Sequence, residues 1–387
     1  VTFTNKAARE MKERLSPMLG NDLNSLSVNT FHSFCARILR TEYEHIGINR
    51  DFTIYDDADQ MSLMKQVLQD INLDPKRFPP RSILSAISGA KSQLIGVSGL
   101  SSQSTNYWDE IVARAYERYE EMLISNSAVD FDDLIFKTYL LFRDVPQVAR
   151  TYQNKFAHLM IDEFQDTNIA QYALAKQVIQ ETSNICVVGD PDQSIYTWRN
   201  ADIRNILSFQ TDYPSTKIIS LEENYRSTQT ILDAATSLIK TNTQRVEKDL
   251  WTKNGKGNPI IVSETYDERE EAQFVINEIQ TLLKSPKNNY NLSDIAVMYR
   301  VNAQSRALEE SCVRYGMPYQ LIGGLKFYQR QEIKDVVAYL RLMINPDDDI
   351  SLTRIINTPT RGIGQRTLDQ VLRMARNKEI SIISALK

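Results

Sequence analysis

The chain has 387 residues, of which 42% are hydrophobic and 24% are charged, and this balance is typical of folded globular protein rather than of disordered chains. The length exceeds that of a domain with a single hydrophobic core, so we expect two to four domains. A net charge of −4 excludes a generally basic nucleic-acid-binding protein, and any contact with a phosphate backbone must use local basic surface. No apolar run approaches the roughly 20 residues that span a bilayer, so we expect no membrane partner.

The three cysteines, Cys35, Cys186 and Cys312, are far apart in the sequence. They show neither the spacing of a metal site nor that of a disulfide framework, which favours a reducing cytoplasm. The three histidines are equally dispersed. We therefore expect a cytoplasmic protein without a zinc site.

In chain order, residues 1–4 read as the end of a strand, and residues 5–15 as a helix capped by Thr4 or Asn5. Residues 28–40 run from a strand end into an amphipathic helix. Residues 52–125 are helical and polar in pattern, with a Ser/Gly/Thr-rich loop expected at 98–106. This part of the chain reads as a helical insertion between sheet elements.

Strand-like runs return after the insertion, at residues 159–161, 185–188, 217–221, 259–262 and 294–298. Helices are expected after the last two of these runs, at 268–283 and 304–315. Such alternation predicts parallel sheets with helices on their faces. After residue 346 the pattern becomes helical again.

Two adjacent carboxylates, Asp162 and Glu163, follow the short apolar run at 159–161. A buried strand that ends this way delivers acids to the carboxyl edge of a parallel sheet, where α/β proteins place their sites. An Asp there can hold Mg²⁺, usually through water, and a neighbouring Glu can orient or deprotonate an attacking water.

A second polar segment follows the run at 185–188, where Gln193 comes after a Gly-Asp-Pro-Asp turn. A carboxamide at this position can donate to a γ-phosphate. Tyr196 and Trp198 then offer two flat faces beside Arg199. Stacking of a base on an aromatic ring contributes roughly 1–3 kcal/mol and is indifferent to sequence. Rings at this spacing more often belong to a core, but their place after the turn favours binding.

Several strings in this chain resemble motifs of the superfamily 1 DNA helicases of the UvrD, PcrA and Rep family, and they occur in the family's order. They are residues 1–11 (motif Ia), 29–34 (motif Ib), 162–168 (Walker B), 188–199 (motif III) and 221–228 (motif IV), with typical blocks at 130–135 and 299–306. The resemblance covers nearly the whole chain.

The resemblance implies an α/β fold with a RecA-like P-loop NTPase core, in which parallel sheets with flanking helices carry helical insertion subdomains. Residues 1–50 and 127–221 would form the first RecA-like domain, and 52–126 its helical insertion. Residues 222–345 would form the first part of the second RecA-like domain, and 346–387 the start of the second insertion.

The resemblance also implies ATP and Mg²⁺ as cofactors. Asp162 would hold Mg²⁺ through water, and Glu163 would activate the attacking water. Gln193 and Arg226 would sense the γ-phosphate, and Tyr225 would stack on the adenine. The alternative for Arg226 is a structural one, a buried ion pair with Glu222 or Glu223.

For DNA, the resemblance implies that Trp198 and Tyr196 stack on bases of the single strand, with Arg199 beside them. Phe3 and Phe31 are weaker candidates for the same surface, and motifs Ia and Ib add three polar residues, Thr4, Asn5 and His32. Gly362 and Gly364 lie in a string that resembles a duplex-contacting loop of the family, before a basic stretch that runs to Lys387. A plain helix-capping turn is the alternative there.

Some features depart from the family. Asn200 stands where the family usually has Gly, and because Asn tolerates positive φ better than most residues, we expect the turn to survive. No G-x-x-x-x-G-K-[ST] string occurs, and motifs V and VI have no counterpart. We therefore expect an internal piece of a longer helicase.

The predicted function is that of the longer parent: an ATP-dependent 3′→5′ DNA helicase or translocase on single-stranded DNA, acting in DNA repair and replication. The expected partners are single-stranded DNA, junctions of single and double strands, and repair or replication proteins. Two alternatives remain. One is a non-catalytic DNA-binding fragment, which DNA-stimulated ATP hydrolysis would exclude. The other is the helicase part of a RecB/AddA-like helicase–nuclease, although residues 328–335 look more like UvrD, PcrA and Rep.

Overall fold

A computed structural model describes residues 1–20, 22, 26–179, 184–242, 246, 248–285, 289–322, 330–378 and 382–386. Contacts among them divide the chain into two compact units. The first unit holds residues 1–219, 246 and 335–387, and the second holds 220–243 and 248–334. The predicted domain boundaries after residues 221 and 345 stay a prediction.

The described residues form four short strands, which are β1 (Thr53–Ile54), β2 (Ala128–Val129), β3 (His158–Ile161) and β4 (Asn184–Val187). The helices in chain order are α1 (Asn5–Leu19), α2 (Phe31–Thr41), α3 (Asp57–Asp70), α4 (Pro80–Ser92), α5 (Val97–Gln103), α6 (Tyr107–Ser125), α7 (Phe131–Asp144), α8 (Pro146–Lys155), α9 (Ile169–Val178), α10 (Arg204–Leu207), α11 (Phe209–Asp212), α12 (Gln229–Ile239), α13 (Glu268–Lys284), α14 (Ser305–Arg314), α15 (Gln331–Ile344), α16 (Asp349–Ile355), α17 (Gln365–Lys378) and α18 (Ile382–Leu386).

A small parallel sheet lies at the centre of the first unit. Strands β3 and β4 pair in parallel, with His158 opposite Asn184. The chain start lies beside β3, because the backbone N–H of Asp162 donates to the carbonyl of Val1 at 2.9 Å. Thr2 in turn forms a parallel bridge to Thr30. These contacts bear out the strand ends predicted at residues 1–4 and 28 only in part, because an isolated bridge between Thr2 and Thr30 stands where strands are predicted.

The main hydrophobic core of this unit joins the sheet to helices α2, α7 and α9. Its members include Cys35, Leu134, Ile161, Phe164 and Leu174. The apolar residues of each helix recur at three- and four-residue spacing, so one face of the helix is buried against the sheet.

The first helix confirms the predicted start and cap. The side-chain oxygen of Thr4 accepts from the backbone N–H of Ala7 at 3.1 Å, which satisfies one of the free donors of the first turn. The helix runs four residues past the predicted end at Leu15, to Leu19, and stops before Gly20, whose φ is 53°.

The helical insertion lies between β1 and β2, which pair in parallel at its base. Helices α3, α4 and α6 enclose a second core that contains Tyr55, Leu63, Met64, Tyr116 and Leu123. The loop predicted at 98–106 is wrong over residues 98–103, because α5 covers Val97–Gln103, and it is confirmed at residues 104–106. Val97 and Leu100, three residues apart, pack against this core, and their contacts outweigh the low helix propensity of the serines and glycine.

Residues 335–387 pack onto the base of the insertion within the first unit. The side-chain amide of Asn345 donates to the Thr53 hydroxyl at 3.2 Å and to the carbonyl of Asn126 at 2.9 Å. The Tyr55 hydroxyl donates to Asp348 at 2.8 Å, and Arg341 pairs with Asp59 at 2.8 Å. Buried polar groups that are satisfied in this way fix one relative placement of the two segments.

Three predicted strands are wrong. The described segments at 217–221, 259–262 and 294–298 carry no strand. Their apolar side chains are exposed instead, with Leu221 at 82%, Val262 at 91% and Met298 at 93%. A strand requires a neighbour that completes its backbone hydrogen bonds, and an apolar alternation in the sequence does not supply that neighbour.

The helices of the second unit match the prediction closely. Helix α13 covers Glu268–Lys284 and α14 covers Ser305–Arg314, where 268–283 and 304–315 are predicted. The Asp267 side chain caps α13, whose first turn is acidic, as the helix dipole favours.

No helix among the described residues is both long and apolar enough to cross a membrane. All three cysteines have free thiols, and burial raises the pKa of the Cys35 thiol to about 12. Cys35 is therefore an inert core residue at neutral pH.

Candidate functional site

The acidic pair lies directly at the end of β3, as predicted. Asp162 is half-buried, and its carboxylate accepts from the Thr2 hydroxyl at 3.3 Å. Glu163 is exposed and has a left-handed backbone with φ 52° and ψ 43°. This region is strained for a residue with a Cβ, and such strain concentrates at functional sites. The turn separates the two carboxylates, so that one faces the sheet edge and the other faces solvent.

Gln165 connects Glu163 to the turn after β4. Gln165 is 1% exposed, and its amide donates to the Glu163 carboxylate at 2.9 Å. Its carbonyl oxygen accepts from the backbone N–H of Asp190 at 3.0 Å. The Asp190 carboxylate then accepts from the Gln193 amide at 2.8 Å. A continuous series of hydrogen bonds therefore joins the Glu163 carboxylate, the predicted general base, to the Gln193 amide, the predicted γ-phosphate sensor.

Gly189 allows these two turns to approach each other. A Cβ at this position would lie 2.6 Å from the Gln165 carboxamide oxygen and 3.1 Å from the backbone nitrogen of Phe164. The contact therefore requires glycine.

Asp166 is a further acid of this site that sequence reasoning did not single out. The residue is 7% exposed. Burial, and then the negative charge of Glu163, raise its pKa to about 6. Gln165, Asp166, Gly189 and Asp190 all lie inside or beside the motif strings, but their pairing across two turns is visible only in the folded chain.

Among the described residues, no group of three or more His, Cys, Asp or Glu side chains is arranged to hold a metal ion. Mg²⁺ in phosphate-handling sites commonly keeps most of its waters and takes one or two carboxylates. A single hard oxygen donor at Asp162, at the carboxyl edge of a parallel sheet, is compatible with that kind of site.

The predicted stacking residues come together in one place, which we call the aromatic surface. It consists of Phe3, Tyr196, Trp198 and Arg199. The rings of Phe3 and Tyr196 are 4.9 Å apart between centroids, and those of Tyr196 and Trp198 are 6.1 Å apart. The Arg199 guanidinium lies 4.6 Å from the Trp198 ring centroid, and Trp198 is 71% exposed. Flat faces beside a fixed positive charge suit a nucleic-acid strand.

His32 lies beside this surface but is uncharged at neutral pH. Burial lowers its pKa to about 4, and the positive charge of Arg199 acts in the same direction. Its ring also meets Phe131 edge-on at 5.9 Å. His32 can therefore exchange hydrogen bonds, but it cannot serve as a cation for phosphate.

The other candidates from motifs Ia and Ib divide into exposed and buried positions. Thr4 and Asn5 are exposed, and the side-chain oxygen of Asn5 accepts from the Ser33 hydroxyl at 3.4 Å. Phe31 is 6% exposed and belongs to the main core. Its suggested place on the DNA surface stays a prediction, made for a ring that is buried in this structure.

The basic residues of α1 are largely neutralised along the helix. Lys6 lies 3.8 Å from Glu10, and Arg9 lies 4.0 Å from Glu13, with all four side chains exposed. Such pairs are those of a solvated helix face.

Tyr225 and Arg226 belong to the second unit. Both are exposed, with Tyr225 at 87%. The Asn224 side chain shapes this turn by accepting from the backbone N–H groups of Arg226 at 3.0 Å and Ser227 at 2.8 Å. The alternative of a buried ion pair for Arg226 does not hold, because its side chain is exposed and Glu223 pairs with Lys253 at 2.8 Å.

The glycine string at 362–364 forms a tight loop before α17. Gly362 has φ 75°, and the Asn357 side chain accepts from the backbone N–H groups of Arg361 at 2.7 Å and Ile363 at 3.3 Å. The Arg361 side chain donates to the carbonyl of Ile355 at 2.8 Å. Gly364 directly precedes α17, so the capping role exists whether or not the loop also meets a duplex. Lys387 and residues 328–329 lie outside the described residues.

Comparison with known families decides the family. The UvrD/REP helicase N-terminal domain matches residues 1–214, and the UvrD-like helicase C-terminal domain matches residues 219–387. The chain belongs to the UvrD/REP helicase family. Membership implies a RecA-like P-loop core, although the sheets described here are small and parallel and most of the structure is helical.

Among curated relatives, ATP-dependent DNA helicase PcrA of Bacillus subtilis (strain 168) is 50% identical over 387 residues, which is 100% of this chain and 52% of the relative. The PcrA of Staphylococcus aureus (strain NCTC 8325 / PS 47) is 50% identical over 386 residues, again 100% of this chain and 52% of the relative. The PcrA of Staphylococcus epidermidis is 48% identical with the same coverage. The chain thus spans about half the length of the curated relatives it matches.

In this UvrD/REP helicase chain, the turn that carries the aromatic surface ends at Asn200. Asn200 has φ 63° and ψ 16°, which confirms that Asn adopts the left-handed conformation expected of the family's Gly. The Asn200 side chain also makes a contact that glycine cannot make, because its amide donates to the Ser92 hydroxyl at 3.1 Å.

Proposed function

We propose that this chain carries motor elements of an ATP-dependent DNA helicase that moves 3′→5′ along single-stranded DNA. The observation that carries the proposal is that the candidate phosphate sensor and the candidate base-stacking rings lie on one short segment. Gln193, joined by hydrogen bonds to Glu163, lies three residues before Tyr196 and five before Trp198. A change at the nucleotide therefore has a short covalent route to the bases.

For the nucleotide, Asp162 would hold Mg²⁺ through water. The ion would supply positive charge that offsets the charge of the phosphates. Glu163 would orient the attacking water and accept its proton. Gln193 would donate to the γ-phosphate. On the sequence motif alone, Arg226 would also sense the γ-phosphate and Tyr225 would stack on the adenine.

Loss of the γ-phosphate would change the hydrogen-bonding partner of Gln193. Gln193 donates to the Asp190 carboxylate, and the Asp190 backbone N–H donates to the Gln165 side chain. A movement of Gln193 would therefore displace both turns. Because the aromatic surface follows directly in the chain, its rings would shift with the turn.

For DNA, Trp198 and Tyr196 would stack on successive bases, with Arg199 adding charge and Phe3 supporting the Tyr196 ring. Stacking accepts any base, as a translocating motor requires. Thr4, Asn5 and His32 would contact the same strand, and the backbone at Gly362 and Gly364 would approach the duplex at a junction. The proposed setting is DNA repair and replication in the cytoplasm.

Glu163→Gln tests the catalytic part in the complete protein that contains this chain. Because the amide cannot accept a proton, we expect DNA-stimulated ATP hydrolysis to fall by about 100-fold or more. Affinity for single-stranded DNA should stay within about twofold, since the aromatic surface is unchanged.

Glu13→Gln, at an exposed helical position, is the matched control and should hydrolyse ATP like the wild type. Wild-type turnover in Glu163→Gln would remove Glu163 from the reaction and contradict the proposal.

A further inference from the structure

Asn200 makes a contact that joins two distant parts of the chain. Its side-chain amide donates to the hydroxyl of Ser92 at 3.1 Å, across 108 positions of sequence. Asn200 is the residue after Arg199, so the contact lies at the end of the segment that carries the aromatic surface. Ser92 is the last residue of α4, in the helical insertion.

The Ser92 end of this contact is fixed. Ser92 is 4% exposed, and the preceding residue, Lys91, is fully buried. The Lys91 ammonium lies 2.8 Å from Asp130, 2.8 Å from Asp133 and 2.6 Å from Glu120. Ion pairs to α6 and to the start of α7 therefore hold the end of α4 in place.

The Asn200 end of the contact lies on an exposed turn. Tyr196 is half-buried, and residues 197–200 are exposed. Backbone bonds close the turn, with the N–H of Ala201 donating to the carbonyl of Tyr196 at 3.2 Å. The Asn200–Ser92 hydrogen bond adds a restraint from the insertion side.

We propose that Asn200 is a positioning residue, which holds the turn at 196–200 against helix α4 of the insertion so that Trp198 is pre-oriented for a DNA base. The inference rests on the proposed function, in which the aromatic surface binds single-stranded DNA. Asn200 itself need not touch the strand. A surface that is ordered before binding loses less conformational entropy when the ligand arrives.

Two variants remove the hydrogen bond from opposite sides. Asn200→Gly keeps a residue that adopts positive φ readily, and Ser92→Ala leaves the backbone of the turn unchanged. We expect each to weaken binding of an oligo-dT strand by about 3- to 10-fold, the effect of one hydrogen bond. The double variant should bind no more than about twofold more weakly than either single one. Ser102→Ala, on exposed surface of the insertion, is the control.

A spectroscopic measurement separates positioning from general destabilisation. In protein with Trp108→Phe and Trp251→Phe, Trp198 is the remaining tryptophan of the three. Without DNA, the steady-state fluorescence anisotropy of Trp198 should fall in both Asn200→Gly and Ser92→Ala, with the thermal midpoint of unfolding within about 2 °C of the parent.

The possible failures are distinguishable. If Trp198→Ala weakens DNA binding while Asn200→Gly and Ser92→Ala bind like the wild type, the positioning role is overturned and the proposed function stands. If Trp198→Ala also binds like the wild type, the stacking function fails. In that case, unchanged Trp198 anisotropy in Asn200→Gly and Ser92→Ala overturns the positioning role as well. A fall in anisotropy supports the restraint of the turn by the Asn200–Ser92 hydrogen bond.

Discussion

Gly189 has the least tolerance for a side chain among the residues of the site. Gly189→Ala places a methyl group 2.6 Å from the Gln165 carboxamide and 3.1 Å from the Phe164 backbone nitrogen. Because a backbone atom cannot rotate away, we expect the variant to lose about 1–3 kcal/mol of unfolding free energy, measured by urea denaturation.

Gly89→Ala, inside α4, is the matched control, since a Cβ there meets nothing within 4 Å. It should lose no unfolding free energy, because a helix interior favours alanine over glycine by about 1 kcal/mol. Equal stability of the two variants would show that the turns at Gln165 and Gly189 are not in contact.

His32 makes stability depend on pH. Its pKa falls from 6.5 to about 4 on folding, so between these values the unfolded chain binds a proton that the folded chain does not. Stability from this group is present above pH 6.5 and is lost as the pH falls. Between pH 7 and pH 5, the wild type should lose about 2 kcal/mol more than His32→Gln.

Buried acids such as Asp133 and Asp166, whose pKa values are raised to about 6, have the opposite effect on stability as the pH changes. Their contribution is the same in wild type and His32→Gln, so it cancels in the comparison. Urea denaturation at the two pH values measures the difference. Parallel pH dependence of wild type and variant would mean that His32 is protonated in the fold.

At the residue scale, the sequence predicts the position of residues that directly follow a strand or a turn. Asp162 and Glu163 follow a strand, and Tyr196 and Trp198 follow a turn, and all four lie where the motifs predict. Gln165 escaped notice because its function depends on Asp190, 25 positions away. The burial of Phe31 in the main core could not be predicted, because the sequence does not show which face of α2 is buried.

Among the elements, α4, α6 and α7 share a buried ionic network. Lys91 contacts Asp130, Asp133 and Glu120, and Lys137 lies 2.9 Å from Glu120. The attraction of three carboxylates holds the pKa of Lys91 well above its usual value, despite burial. The network joins the insertion to the central core through charges that must stay paired.

Lys91→Met should destabilise the first unit by about 3–5 kcal/mol, because it leaves buried carboxylates without their cation. Urea denaturation followed by Trp108 fluorescence, from the same insertion, measures the loss. Lys6→Met is the control, since the Lys6–Glu10 pair is exposed, and it should cost less than about 1 kcal/mol. A cost for Lys91→Met equal to that of the control would mean that solvent reaches the network.

Helices were more predictable than strands for a physical reason. A helix completes its hydrogen bonds locally, so the apolar spacing of residues 268–283 was enough to place α13 within one residue of its end. Strands depend on a partner elsewhere in the chain, and the runs at 217–221, 259–262 and 294–298 have the pattern without described pairing. The serines of α5 favour a loop in the sequence. The packing of Val97 and Leu100 against the core of the insertion outweighs their low helix propensity.

For the whole molecule, family membership follows from matches that cover both parts of the chain, residues 1–214 and 219–387. The sequence placed the motifs in order, and the folded chain brings those of the first unit together around β3 and β4. The network of Lys91, the hydrogen bonds of Gln165 and the contact between Asn200 and Ser92 could not be predicted, because each joins residues far apart in sequence.

Binding of single-stranded DNA by this chain with Trp198→Ala tests the central claim most directly. Tyr266→Ala, at an aromatic residue that is 95% exposed in the second unit, is the matched control. Fluorescence anisotropy of a labelled oligo-dT strand at fixed salt gives the Kd of each protein. We expect Trp198→Ala to raise the Kd by about 5- to 150-fold, the effect of one lost base stack, with Tyr266→Ala unchanged. Equal Kd values for Trp198→Ala and the wild type would contradict the assignment of the aromatic surface to DNA.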